Sequence, residues 1–128
     1  IIVWRRREYN ILEVGNNIIQ KSPIELAKSK LISTNTNGFS KEFYIEISYI
    51  TRAFVEESSF IRALEMTTDE IKFNHDIFLV NKNIFSDWIV LLEKADLIKY
   101  AKQPASISEM EKDKEKALDI IENIFIKE

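Results

Sequence analysis

An all-α fold, a single-domain bundle of about five helices, is what this sequence predicts, and three observations predict it. Apolar residues recur at three- and four-residue spacing in several separate stretches. No stretch sustains the period-two alternation of a half-buried strand. Helix-start signatures, a Ser or Thr followed three residues later by Glu, recur at Ser22, Thr67 and Ser106. The 128 residues make one domain's worth of chain, long enough to bury roughly two-thirds of the unfolded surface without staples.

The first stretch reads differently from the rest. Ile1-Ile2-Val3-Trp4 is apolar and is followed at once by Arg5-Arg6-Arg7, the only basic run in the chain. Four apolar residues are far short of the ~20 that span a bilayer. They suit the last turn of a spanning helix, with Trp4 at the interface and Arg5, Arg6 and Arg7 held on the cytoplasmic side. The bland alternative is a surface arm carrying a chance basic triplet. From Glu8 to Lys21 the pattern is weak and interrupted by Gly15-Asn16-Asn17. Residues 1–21 are therefore expected to be the juxtamembrane end of a transmembrane helix and a linker, with a short packed arm as the alternative, and residues 22–128 a helical cytoplasmic domain.

Ser22-Pro23-Ile24-Glu25 opens the first helix of that domain, with Ser22 as N-cap and Pro at the first helical position. Ile24, Ala27 and Leu31 share one face, and the polar run from Ser33 to Gly38 stops the helix. Ser40 is expected to cap the next, at about residues 41–57. There Phe43, Ile47, Ile50 and Phe54 repeat at helical spacing, Tyr44 and Ile45 widen the stripe, and Glu42, Glu46, Arg52 and Glu56 fall on other faces. Thr67-Thr68-Asp69-Glu70 is a capping box with Thr67 as cap. Ile84, Phe85, Trp88, Leu91, Leu92 and Ala95 form a further apolar face, in a helix expected to end near Asp96, with Leu97-Ile98-Lys99-Tyr100-Ala101 extended or irregular. Past Pro104, Ser106 with Glu109, or Ser108 with Glu111, caps the last helix. Its inner face carries Met110, Ala117, Ile121 and Ile124, and its outer face a solvated ladder from Glu111 to Lys116. The expected core is Phe43, Ile47, Ile50, Phe54, Trp88, Leu91 and Ile121.

Composition excludes several kinds of chemistry. With no cysteine there is no disulfide framework, thiolate zinc site or thiol nucleophile. One histidine leaves no multi-histidine metal site, and two glycines leave no phosphate-cradling loop. His75-Asp76 invites a metallohydrolase reading, but such sites need several further ligands. Glu56-Glu57 reads as the polar side of a helix and Asp69-Glu70 as part of a cap, neither in a setting that tunes a carboxylate for acid–base work. No catalytic residue, cofactor site, metal site or small-molecule substrate is expected.

Charge is unevenly divided. Residues 1–64 hold nine Lys/Arg and seven Asp/Glu, net +2; residues 65–128 hold nine Lys and fourteen Asp/Glu, net −5. Residues 67–102, a short helix, a longer helix and then Leu97–Tyr100, follow the order of a degenerate winged helix with its recognition helix and first wing strand. That order makes a winged-helix-like nucleic-acid-binding domain the alternative function. Asp87, Glu93 and Asp96 against Lys94 alone on the would-be recognition helix argue against phosphate binding.

Two blocks carry a resemblance. Lys41 to Ser48, running through Arg52-Ala53-Phe54 to Ala63-Leu64-Glu65-Met66-Thr67-Thr68-Asp69-Glu70-Ile71, is one; Leu91 to Ala101, followed by Pro104 and a charged terminal helix, is the other. Over about residues 22–125 they resemble the C-terminal cytoplasmic domain of an uncharacterised, Bacteroidetes-type membrane-protein family. Its BatD-like members are encoded beside MoxR-type AAA+ ATPases and von Willebrand factor A (Bat) proteins. The chain departs from that family near Phe60, where the family usually has glycine. The resemblance implies no catalytic residues. It implies placement on the cytoplasmic face of the inner membrane, and a non-enzymatic, membrane-tethered interaction domain whose protein partner is the MoxR-type ATPase or the von Willebrand factor A protein.

Overall fold

The computed structural model describes residues 11–14, 17–20, 22–101 and 104–126, with side-chain burial described from residue 22 onward. Trp4, Arg5, Arg6 and Arg7 lie outside the described residues. Five α-helices follow in order: α1 (Pro23–Ser33), α2 (Ser40–Ser59), α3 (Thr68–Phe73), α4 (Lys82–Ala101) and α5 (Ile107–Asn123). Single 3₁₀ turns at Ala63–Glu65 and His75–Ile77 flank α3. From residue 22 on, every described element is helical, and the fold is an all-helical bundle.

Within the segment expected to be a linker, Ile11–Val14 (β1) pairs antiparallel with Asn17–Gln20 (β2), Leu12 opposite Ile19 and Val14 opposite Asn17. Four residues per strand are too few for alternation to show as a pattern. Isoleucine and valine nonetheless suit a pleated backbone.

Helix α2 is the centre of the bundle and packs against α1, α4 and α5, while α3 lies on α4. Phe43, Ile47, Ile50, Phe54, Trp88, Leu91 and Ile121 are all buried in one core that also takes in Leu31, Ile71, Met110 and Ile124. Phe78, Phe85 and Trp88 meet there as an aromatic trio, tilted or edge to face, with centroids 5.4 to 6.1 Å apart. Tyr44 joins the buried face, but Ile45 points to solvent.

Three of the helix starts are capped by a Ser or Thr side chain. Ser22 Oγ accepts from Glu25 N–H at 3.3 Å, Thr67 Oγ1 from Glu70 N–H at 3.1 Å, and Ser106 Oγ from Glu109 N–H at 3.1 Å, which leaves no capping role for Ser108. At Thr67 the box is complete: its own N–H donates to Glu70 Oε1 at 3.0 Å. Ser40 is not a cap. The α2 helix starts one residue earlier than expected, at Ser40 itself, and its N-cap is Phe39, whose side chain makes no capping bond.

The expected end of α4 is also corrected. The helix continues through Leu97–Ala101, so the run expected as a wing strand is helical, and among the described residues the winged-helix reading loses its topology. Only Ile98 of that run points inward, Leu97 and Tyr100 face water, and Lys99 Nζ lies 3.3 Å from Asp96 Oδ1 along the helix. With no glycine or proline before Pro104, nothing in the run stops a helix.

Candidate interaction groove

The charged residues expected to be solvated divide into two sets once placed. Asp113, expected on an exposed ladder, is 4% exposed. The Tyr44 hydroxyl donates to its Oδ2, and Lys94 Nζ lies 2.8 Å from the same oxygen and 3.2 Å from Glu109 Oε2. Burial, Asp113 and Glu109 all push the Tyr44 hydroxyl well above its ordinary pKa of 10.0. Burial works against the Lys94 charge, but its bonds to Asp113 and Glu109 outweigh that and raise its pKa. The next residue, Lys114, donates to the carbonyls of Ile32 at 2.7 Å and Thr34 at 2.9 Å. Its ammonium thus satisfies acceptors where α1 ends.

Glu56 and Glu57 are likewise buried rather than on a polar face. Glu56 Oε1 accepts from the Leu64 N–H at 3.0 Å and so fixes the Ala63–Glu65 turn. Arg52 is half-buried and donates to Ser48 Oγ and, at 3.0 Å, to Thr68 Oγ1, which in turn donates to Asp96 Oδ2 at 2.5 Å. Burial lowers the Arg52 pKa despite the nearby Asp96 and Tyr100. These groups join α2 to α3, α4 and α5. They are consumed in holding helices together.

His75 sits in an exposed 3₁₀ turn with its Nδ1 3.1 Å from Asp76 Oδ1. Among the described residues, no three His, Cys, Asp or Glu side chains are grouped to hold a metal ion. A small cavity of about 130 Å³ lies between α1 and α2, lined by Leu26, Ala27, Ile50 and Phe54 with Lys30 and Glu57 beside them. It is about the size of the ~150 Å³ engineered cavity that takes a benzene ring.

The larger concavity is a groove of about 830 Å³ along α4. Its floor is Phe85 and Ile89 with Phe78 from the segment leading into α4, and Phe125 also lines it. Leu79 and Val90 line it too; Leu79 is 90% exposed, and nearby in sequence Phe73 is 89% exposed. The Lys72–Glu93 ion pair, 3.2 Å, bridges α3 to α4 beside it. Asn81 shapes the approach: its Oδ1 caps α4 by accepting from Asn83 and Ile84 N–H, and its N–H donates to the Ile124 carbonyl at 2.8 Å.

The groove was not foreseen from the sequence. Its signal is there in Phe73, Leu79, Val90 and Leu97, apolar residues that fall off the buried helical faces.

Compared with protein-family models, curated proteins and solved structures, the chain matches none. The resemblance described above therefore rests on the residue blocks quoted for it. Among the described residues no helix is long and apolar enough to cross a membrane.

Proposed function

We propose that this chain is a non-enzymatic protein-interaction domain, tethered by its N-terminal side to the cytoplasmic face of a bacterial inner membrane, which docks a protein partner in the groove along α4. The observation that carries the reading is the groove itself, an apolar channel flanked by large side chains left in water. A concave apolar surface rimmed by polar residues suits a protein-interaction site. The partner class, a MoxR-type ATPase or a von Willebrand factor A protein, comes from the resemblance.

The tether follows from Trp4 and the three arginines that succeed it. Co-purification of the intact membrane protein tests the whole reading. The ATPase or the von Willebrand factor A protein is expected to be captured by the parent and lost from Leu79→Lys. Equal capture by both proteins would remove the groove from the account, and no capture by the parent would remove the partner class.

A further inference from the structure

We propose that Asn37-Gly38, in the turn between α1 and α2, is a site of spontaneous self-modification at which Asn37 loses its amide and becomes aspartate and isoaspartate. This site is independent of the groove along α4. Asparagine is among the thermolabile residues, and its weak point is the peptide nitrogen that follows it. That nitrogen, deprotonated by hydroxide, attacks the side-chain Cγ. The bond from Gly38 N to Cγ forms, the bond from Cγ to Nδ2 breaks, and the amide nitrogen leaves as ammonia. Water then opens the cyclic imide at either carbonyl. Opening at one restores the ordinary backbone and leaves aspartate; opening at the other carries the backbone through the side-chain carbon as isoaspartate.

The turn meets what the reaction needs. Gly38 sets no Cβ beside the attacking nitrogen. Asn37 and Gly38 are both exposed, so water and hydroxide reach them. Among the described residues, neither the Asn37 side-chain amide nor the Gly38 N–H is bonded to another group. The hydrogen bond of the turn runs instead from the Asn37 N–H to Asn35 Oδ1, 2.7 Å. Because α1 ends at Ser33 and α2 starts at Ser40, no ladder of helical bonds holds this backbone against the rotation that the attack requires.

The other asparagines whose side chains are described are held back. Asn35 has its Oδ1 engaged with Asn37 and is followed by Thr36, branched at Cβ. The Nδ2 groups of Asn74, Asn81 and Asn123 donate to the carbonyls of Glu70, Ile126 and Asp119 at 2.8, 3.1 and 3.0 Å. After Asn83 the attacking nitrogen would be that of Ile84, whose N–H already donates to Asn81 Oδ1 at 3.2 Å.

The fold itself does not require glycine at 38. Its φ lies outside the left-handed region, and a Cβ there would meet Asn35 Nδ2 at 3.5 Å, an ordinary contact. Gly38→Ala therefore touches the reaction and spares the turn. The product puts a carboxylate just ahead of Phe39, the N-cap of α2 that makes no side-chain capping bond, at the positive end of the helix dipole.

Incubation of the 128-residue chain for days at mildly alkaline pH, followed by peptide mass spectrometry and labelling with an isoaspartyl methyltransferase, is the test. Conversion is expected at Asn37 ahead of every other described asparagine, with methylatable isoaspartate in its peptide. Gly38→Ala should slow it about tenfold, equivalent to about 1.4 kcal/mol on the barrier, while its helical circular dichroism matches the parent. A parallel incubation in urea isolates the contribution of the turn: Asn37 should react at a similar rate folded and unfolded, whereas Asn81 and Asn123 should gain reactivity on unfolding. An Asn37 that keeps its amide in the folded chain and loses it in urea overturns the proposal, and so does a rate indifferent to Gly38→Ala.

Discussion

The Tyr44 hydroxyl donates to the Asp113 carboxylate across 69 residues of sequence, joining α2 to α5 inside the core. Lys94 closes the arrangement from α4, so three helices meet on one carboxylate. A phenol, a carboxylate and an ammonium taken out of water are stable together because each supplies what the others need. Removing one leaves the rest exposed to the cost of burial without partners. Asp113→Ala is expected to lower stability by about 3–5 kcal/mol, as for a broken buried pair. Tyr44→Phe, which takes away one hydrogen bond to a charged group, should lower it by about 1.5–3 kcal/mol. Urea unfolding of the two variants gives the comparison.

The same contact fixes the direction of the alkaline response. Unfolded, Tyr44 ionises near its ordinary pKa of 10.0; folded, burial and Asp113 hold its proton to far higher pH. The contribution is whole below pH 10 and is lost as pH rises beyond it, because the unfolded state sheds a proton that the folded state keeps. Each pH unit above 10 should then cost about 1.4 kcal/mol. Lys94, also raised, acts in the same direction. Unfolding free energies measured across this range should fall less steeply for Tyr44→Phe than for the parent. Parallel slopes would mean that Tyr44 ionises in the folded state as it does in water.

The helix caps give an internal contrast. Thr67 and Ser40 stand in similar sequence settings, each a hydroxyl before an apolar helix, yet only Thr67 makes a cap. Thr67→Ala should cost about 1 kcal/mol, and Ser40→Ala close to nothing. The Glu70 carboxylate in the Thr67 box has a lowered pKa through its bonds to the Thr67 backbone and hydroxyl. Its folded pKa lies below the unfolded one, so the box contributes above the unfolded carboxylate pKa and is lost as pH falls through the folded one. Thermal melts of the two variants at neutral pH decide the first point, and the acid limb of the Thr67→Ala melt the second.

Sequence periodicity was sufficient for the bundle and insufficient for its polar interior. The stripe Phe43, Ile47, Ile50 and Phe54 shows in the sequence because each residue is apolar and each faces inward. Asp113 and Glu56 face inward too, but a charged residue carries no mark of burial until its partner is placed, and Tyr44 and Leu64 are remote or off-pattern in sequence. The end of α4 was hidden for a related reason: Leu97-Ile98 reads as a short apolar run, and such runs suit strand and helix alike. The groove was hidden because exposure of Leu79 and Val90 is a property of what fails to cover them.

Phe60 offers the last test. It ends α2 in the left-handed region, φ 62° and ψ 16°, with its N–H bonded to the Glu56 carbonyl at 2.8 Å. A Cβ in that region crowds the following carbonyl, at a cost of roughly 1–2 kcal/mol that glycine escapes. Helices commonly end on a glycine in this conformation. The Phe60 ring is more than half exposed. Phe60→Gly should therefore raise stability by about 1 kcal/mol, even after the greater freedom glycine gives the unfolded chain. Phe60→Val, a branched side chain in the same conformation, should lower it. The midpoint of urea unfolding, at unchanged slope, measures both. If Phe60→Gly were the less stable protein, the ring's contacts would outweigh the backbone strain, and the end of α2 would be held by packing and not by conformation.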